Sequence, residues 1–339
     1  MKIAILTPTL YKYSGIDRVA YKQAKEFAAQ GNTVKFITFK SEIESHGRNI
    51  EVIELGMPSS SFFERVYRLF FFLDYFKVIT AKKAIHDCQK IICHSYPMSV
   101  IACKVKKERP QIKYIYYNHG VAEPSAFESI IEKVYLRIFG KLSNHFLKNA
   151  DEVICISKYL QNVLENETGI GSKVVYNELV LDHSIKPKTK IKSKFGIGED
   201  RFILFVGRVS PHKGVHLLIK AFKLVQEKDK DLKLVIVGKN TFGKYAKRLK
   251  DIAADNVIIT GSVSDEELID FYRHCSLYAT ASLWEGFDLP IIEAQKEVKP
   301  IVAFDIGPHF EIADKNTMLV EKGDVQAFAL AINKALNEE

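Results

Sequence analysis

Two short segments carry the residues whose types and spacing suit chemistry. In GRVSPHKG (207–214), Arg208 and Lys213 place two cations on a loop that follows the apolar run FILFV and opens a helix near Val215. Gly207 lets the backbone turn sharply there, and free amides at the positive end of a helix dipole favour an anion, so the loop suits a diphosphate. A hydrogen bond to a charged group contributes roughly 1.5–3 kcal/mol, enough for two cations to hold a diphosphate and to stabilise it as it departs. In SLWEGFDLPIIEA (282–294), Glu285 and Glu293 are separated by seven residues. Pro290 fits the first turn of a helix, which leaves Glu285 in the preceding loop and Glu293 within the helix. The two carboxylates can accept from sugar hydroxyls, and the amides around Gly286, Phe287, Asp288 and Leu289 can donate to an anion. A plainer reading gives Glu293 only the helix dipole to complement, for about 0.3–1 kcal/mol, and leaves Glu285 without a task.

The elements that must position these loops are legible as a rhythm. Short β-branched runs recur between segments of helical period: KIAIL (2–6), VKFITF (34–39), KIIC (90–93), KYIYY (113–117), EVICI (152–156) and KVVY (173–176). The rhythm restarts with FILFV (202–206), LKLVIV (232–237), NVIIT (256–260), LYATA (277–281) and PIVAF (300–304). Such runs read as buried parallel strands, and two series of them predict two Rossmann-like doubly wound α/β domains. The boundaries expected are 1–185 and 201–339, with the lysine-rich stretch 186–200 as a solvated linker. Ligands of doubly wound sheets sit at the carboxyl ends of the strands, so two such domains facing a central cleft would enclose a site.

Composition excludes several classes. The 339 residues are 47% hydrophobic and 27% charged, with 18 Gly and 10 Pro, which suits globular domains rather than disorder. The five cysteines form no CxxC pair and no zinc-like spacing with histidine, so neither a metal cluster nor a disulfide framework is expected, and a reducing, cytoplasmic compartment fits. No stretch approaches a membrane span. The net charge of +8 divides into 25 basic against 19 acidic residues in 1–185 and 24 against 22 in 186–339, which suggests an anionic partner that charge alone does not name.

GRVSPHKG, EGFDLPIIEA and the intervening NVIITGSVSDEELIDFYRHCSLYATAS resemble the C-terminal domain of the group 1, or family 4, retaining glycosyltransferases of the GT-B fold. The similarity extends over nearly the whole chain and is strongest over 202–313. It implies transfer of a hexosyl group from a nucleoside-diphosphate sugar, UDP- or GDP-linked, to a hydroxyl of a sugar, glycan or lipid-linked acceptor, with retention and without a bound metal or other cofactor. It implies that Arg208 and Lys213 bind the donor diphosphate, that Glu293 binds the ribose, and that Glu285 contacts the donor sugar with help from Gly286, Phe287, Asp288 and Leu289. The segment Gly261, Ser262 and Val263 resembles the one that touches the base through its backbone. In the first domain, which would bind the acceptor, Ser14-Gly15-Ile16 matches the glycine-rich loop beside the phosphates. His119, in Asn118-His119-Gly120, matches the active-site His-Gly. Catalysis would fall to His119, Glu285, Arg208 and Lys213.

The sequence also departs from the family. Ser14 replaces one glycine of a pair, Asn177-Glu178 stands for Asn-Gly, and Val298 stands where glycine precedes the PIVA strand. The sequence stops at INKALNEE, short of the helices that relatives fold back over the first domain, so either that clasp is absent, with a looser closure expected, or the sequence is a shortened one. Alternatives from other classes are a nucleotide-sugar epimerase of the same architecture and a noncatalytic subunit. No nucleic-acid recognition motif appears, so nucleic acid is not an expected partner.

Two further features need a place. SSSFFERVYRLFFFLDYFKVI (59–79) is rich in Phe and interleaved with Arg65, Arg68 and Lys77. As one helix it would suit either an anionic membrane surface or packing on the sheet, and Lys133, Arg137, Lys141 and Lys148 of the helical segment 126–149 add to the basic flank. Asp229-Lys230-Asp231 resembles a metal-binding DxD, but its position between a helix and a strand assigns it to an exposed turn.

Overall fold

The computed structural model describes residues 1–43, 47–187, 190–240, 242–253 and 255–337. The chain divides into two compact units, Met1–Val121 with Ile131–Val180, and Ala122–Ile130 with Leu181–Glu339. The first holds β1 (Lys2–Leu6), β2 (Thr9–Leu10), β3 (Thr33–Thr38), β4 (Lys40–Ser41), β5 (Ile50–Glu54), β6 (Lys90–Cys93), β7 (Lys113–Asn118), β8 (Glu152–Cys155) and β9 (Lys173–Val174). Seven of these form one parallel sheet in the order β5-β3-β1-β6-β7-β8-β9, and β2 pairs with β4.

The second unit holds β10 (Phe202–Val206), β11 (Lys233–Val237), β12 (Val257–Gly261), β13 (Leu277–Thr280), β14 (Ile301–Asp305) and β15 (Thr317–Glu321). They form a parallel sheet in the order β12-β11-β10-β13-β14-β15. Both sheets are covered on both faces, which is why the central strands read as unbroken apolar runs. In β10, Ile203 and Phe205 enter one core while Phe202 and Leu204 enter the other, the alternation that a pleated strand imposes.

In each sheet the order reverses beside the first strand of the unit. The loops after β1 and β6, and after β10 and β13, therefore leave adjacent strand ends in opposite directions. Such switch points are where doubly wound sheets hold ligands.

Several expectations change. The boundary falls after Val180 rather than Ile185, and the stretch read as a solvated linker packs with the second unit: Ile191 and Ile197 are buried in its core and Phe195 packs against it. Apolar side chains spaced among the lysines decide this, while Lys188 and Thr189 lie outside the described residues. Residues 122–130 also join the second unit, where the Phe127 ring lies 5.4 Å from His212 and 6.4 Å from Phe242. The segment 59–79 is not one helix. It breaks into Ser61–Phe70 and Tyr75–Ala84, because Asp74 caps the second by accepting from the Lys77 amide at 3.1 Å, and Phe71 turns into the core. The segment 126–149 is a helix over Ile130–Leu147. The strands β2, β4, β5 and β15 fall outside the apolar runs that the sequence displays.

Candidate functional site

In the second unit the loops after β10 and β13 meet. The sequence after β10 makes a single 3₁₀ turn, Pro211–Lys213, then Gly214 at φ 61°, then the helix Val215–Gln226. A Cβ on Gly214 would stand 1.8 Å from the Ala281 carbonyl oxygen, so only glycine allows the helix start to approach the end of β13. The Leu283 amide donates to the His212 carbonyl at 2.7 Å and fastens the loops again.

This contact brings Lys213 to Glu285. The Lys213 ammonium donates to Glu285 Oε1 and lies 4.0 Å from Asp288 Oδ1. Ser282 Oγ donates to the same Glu285 oxygen at 2.8 Å and is 3.1 Å from the Thr280 hydroxyl. Asp288 precedes the helix Leu289–Lys296 with φ 77°, a left-handed backbone in a residue that is not glycine, and its Oδ2 lies 3.0 Å from His309 Nε2. The other nitrogen of His309 donates to the Phe304 carbonyl at 2.8 Å. Both ring nitrogens thus face acceptors. Lys213 lies against two carboxylates, and ionisable groups tolerate burial when they are paired in this way.

The remaining expected residues lie as follows. Arg208 is exposed on the loop that carries Lys213, and Glu293 is buried on its helix, where Tyr272 donates to it at 2.8 Å. Gly286 and Phe287 are buried in the loop between Glu285 and Asp288, and Leu289 starts the helix. The Val263 side chain is buried in the core, two residues after Gly261 at the end of β12. Asp229 of the DxD-like triplet pairs with Arg201 at 2.8 Å, and among the described residues no three His, Cys, Asp or Glu side chains are grouped to hold a metal ion.

In the first unit Gly15 begins the helix Gly15–Ala29, and Ser14 before it is extended at φ −98°, a conformation open to serine. Buried Asp17 organises the approach to this helix by accepting from the Thr9 hydroxyl at 2.8 Å, the Tyr11 amide at 2.9 Å and the Thr7 hydroxyl at 3.2 Å. His119 follows β7, is buried, and its Nε2 lies 3.0 Å from Nδ1 of His94, which follows β6. His94 Nε2 faces Gln23 Oε1 at 3.2 Å. That oxygen accepts only, so His94 carries its proton on Nε2, His119 donates from Nε2, and Nδ1 of His119 is left as an acceptor.

Family models match both halves of the chain: "Glycosyltransferase Family 4" over residues 13–179 and "Glycosyl transferases group 1" over residues 187–339. The two halves thus match, in order, two glycosyltransferase domain families. An uncharacterized glycosyltransferase of Methanocaldococcus jannaschii is 29% identical over 56% of this chain and 51% of its own length. The alpha-monoglucosyldiacylglycerol synthase of Streptococcus pneumoniae is 24% identical over 89% of this chain and 71% of its own. The chain thus spans about half the length of the first of these relatives. The crystal structure of Anabaena HepE in complex with UDP and glucose superposes with a TM-score of 0.79 at 24% identity, covering all of this chain and 90% of that one, and it shows the GT-B fold. Relatives of this kind do not favour the epimerase.

The buried groups of both units are electrostatically tuned. Burial works against the Lys213 ammonium, yet Glu285 and Asp288 outweigh it and hold its pKa above the ordinary lysine value. Burial and the neighbouring Asp288 push the Glu285 carboxyl up despite its contact with Lys213. Burial drives His119 down to about 4, and it drives His94, which also faces His119, well below the usual imidazole range, so both rings are neutral near neutral pH.

Sequence reasoning missed His309, His94, Gln23 and Asp17. His94 had a usable signal, since KIICH ends a strand on histidine as KYIYYNH nearly does. His309 had none, because its role depends on the strand order that sets β14 beside β13.

Proposed function

We infer that this chain transfers a hexosyl group from a nucleoside-diphosphate sugar to a hydroxyl of a glycan or lipid-linked acceptor, with retention at the anomeric carbon and without a metal ion, at the cytoplasmic face. The observation that carries the reading is the buried Lys213–Glu285–Asp288 cluster at the carboxyl ends of β10 and β13. Lys213 rests on Glu285 until an anion arrives. A diphosphate would draw the ammonium away and free Glu285 to accept from the sugar hydroxyls, with Arg208 as a second cation and Glu293 on the ribose. The amides around Gly286, Phe287, Asp288 and Leu289 would hold the sugar, and the backbone at Val263 and Gly15 would line the base and the phosphates.

In the reaction the acceptor oxygen attacks the anomeric carbon from the side that the leaving phosphate vacates. The carbon–phosphate oxygen bond breaks, and the acceptor proton passes to the departing phosphate oxygen. Lys213 and Arg208 stabilise the charge that develops there, which is where such a mechanism gains most of its rate. His119, neutral and with Nδ1 open, accepts a hydroxyl of the reacting sugar and does not serve as an acid. The test is a screen of UDP- and GDP-hexoses against soluble and lipid acceptors, with the anomeric configuration of the product read by NMR. Inverted product, or an epimerised donor without transfer, overturns the reading.

A further inference from the structure

The first unit carries an apolar surface that its own fold leaves uncovered. On the helix Ser61–Phe70, the side chains of Phe62, Val66 and Phe70 recur at four-residue spacing and are exposed, and Phe63 lies beside them. The following segment adds Leu73 at 70% exposure, Tyr75, and Phe76 at 85%. The neighbouring helix Ile130–Leu147 is tied to the first by a bidentate pair between Arg65 and Glu132, with the Arg65 guanidinium 4.5 Å over the Tyr135 ring. It exposes Ile131 at 79%, Val134 and Ile138. Single exposed hydrophobics are ordinary, whereas a cluster of aromatic and branched side chains on adjacent helices marks a contact surface.

Charge says what the contact is with. The stripe Val134–Ile138 continues at spacings of three and four residues through Lys141, His145 and Lys148, so one helix face passes from apolar to cationic. Lys141, His145 and Lys148 line an open groove together with Asn144, Glu167 and Thr168, and Glu167 accepts from Asn144 at 2.9 Å. Arg137, Lys141 and Lys148 are exposed and make no ion pair among the described residues. The acids nearby are occupied: Glu64 by Arg68, Asp74 by Tyr67 and the Lys77 amide, and Glu132 by Arg65. An apolar face that ends in unpaired cations matches a lipid monolayer, whose acyl boundary receives the rings while anionic headgroups meet the lysines. A protein groove would offer no reason for this gradient along one helix.

We propose that the helices Ser61–Phe70 and Ile130–Leu147 form a docking surface for an anionic lipid bilayer, with Phe62, Phe63 and Phe76 entering the interface and Arg137, Lys141 and Lys148 contacting headgroup phosphates. The surface would hold the chain on the membrane; among the described residues no helix is long and apolar enough to cross one.

The test is sedimentation of the full chain with vesicles of phosphatidylcholine alone and of phosphatidylcholine with about one third phosphatidylglycerol. Binding is expected to the anionic vesicles, to weaken as salt is raised, and to fall about tenfold or more on double charge reversal, Lys141→Glu with Lys148→Glu. A second variant, Phe63→Ser with Phe76→Ser, is expected to lose binding at high salt, where the apolar contribution dominates. All four positions are exposed, so unchanged circular dichroism is expected and is checked. Equal binding by wild type and both variants overturns the proposal. So does binding to neither vesicle, or a concentration-dependent dimer in sedimentation velocity that Phe63→Ser with Phe76→Ser dissolves. The assay uses neither donor nor acceptor, so its failure leaves the transfer reading standing.

Discussion

At the scale of single residues, the decisive feature is a lysine that is already paired. Lys213 rests against Glu285 and near Asp288, so its charge is balanced by two carboxylates before any ligand arrives. Lys213→Ala is expected to lower kcat/KM by about 10²–10³, the range found when one preorganised donor to a developing charge is lost. Steady-state kinetics with the donor identified in the screen check this, and the single tryptophan, Trp284, next to Glu285, supplies an independent binding signal through its fluorescence. His119 and His94 make a second prediction. Their folded-state pKa values are depressed, so between pH 6.5 and about 4 the unfolded chain binds more protons than the folded one. Stability is therefore full above pH 6.5 and is lost as pH falls, by an amount on the order of 3 kcal/mol for His119. Thermal unfolding at pH 7 and pH 5 should show the drop, and the double substitution His94→Gln with His119→Gln should reduce it. Asp288 and Val298 are the residues where chemistry and backbone disagree. Both hold left-handed φ angles, 77° and 54°, but Asp288 gains Lys213 and His309 in return, whereas Val298 is exposed. Val298→Gly is accordingly expected to stabilise the fold by about 1 kcal/mol, seen as a raised Tm.

At the scale of elements, the site depends on how a helix start is seated. The close approach at Gly214 is what lets the loop after β10 touch the loop after β13. Gly214→Ala combines a left-handed backbone with a Cβ that would overlap a carbonyl. It should cost about 2–4 kcal/mol and weaken donor binding even though no charged group is removed. Denaturant titration and Trp284 fluorescence read the two effects separately. Elements were legible from the sequence in proportion to their burial. The central strands β1, β6, β7, β10, β11 and β13 stood out as apolar runs, but β5 and β15 lie at sheet edges, where mixed side chains erase the pattern. The aromatic segment 59–79 read as one helix because its composition hides the Asp74 cap, and the lysine-rich stretch read as linker because its charges outnumber Ile191, Phe195 and Ile197, which fasten it.

At the scale of the whole molecule, two parallel sheets repeat one arrangement, and each offers functional groups where its strand order reverses. The reaction inferred for them draws its electrostatics from Lys213, Arg208 and helix amides. A chelator is therefore expected to leave the transfer rate unchanged, and activity that vanishes with chelator and returns with a divalent cation would count against the mechanism. Part of the basic excess of residues 1–185 lies in the exposed Arg137, Lys141 and Lys148, the cations of the proposed docking surface. The sequence by itself determined the two series of buried strands, the strand-end loops and the kinds of group that those loops carry, because apolar spacing and loop chemistry are local properties. Only the tertiary structure decided which groups meet. Lys213 and Glu285 are 72 residues apart and touch because β10 pairs with β13, and His94 reaches His119 because β6 pairs with β7. Strand order is set by the packing of the whole sheet between its helices, a long-range balance that no single stretch of sequence carries.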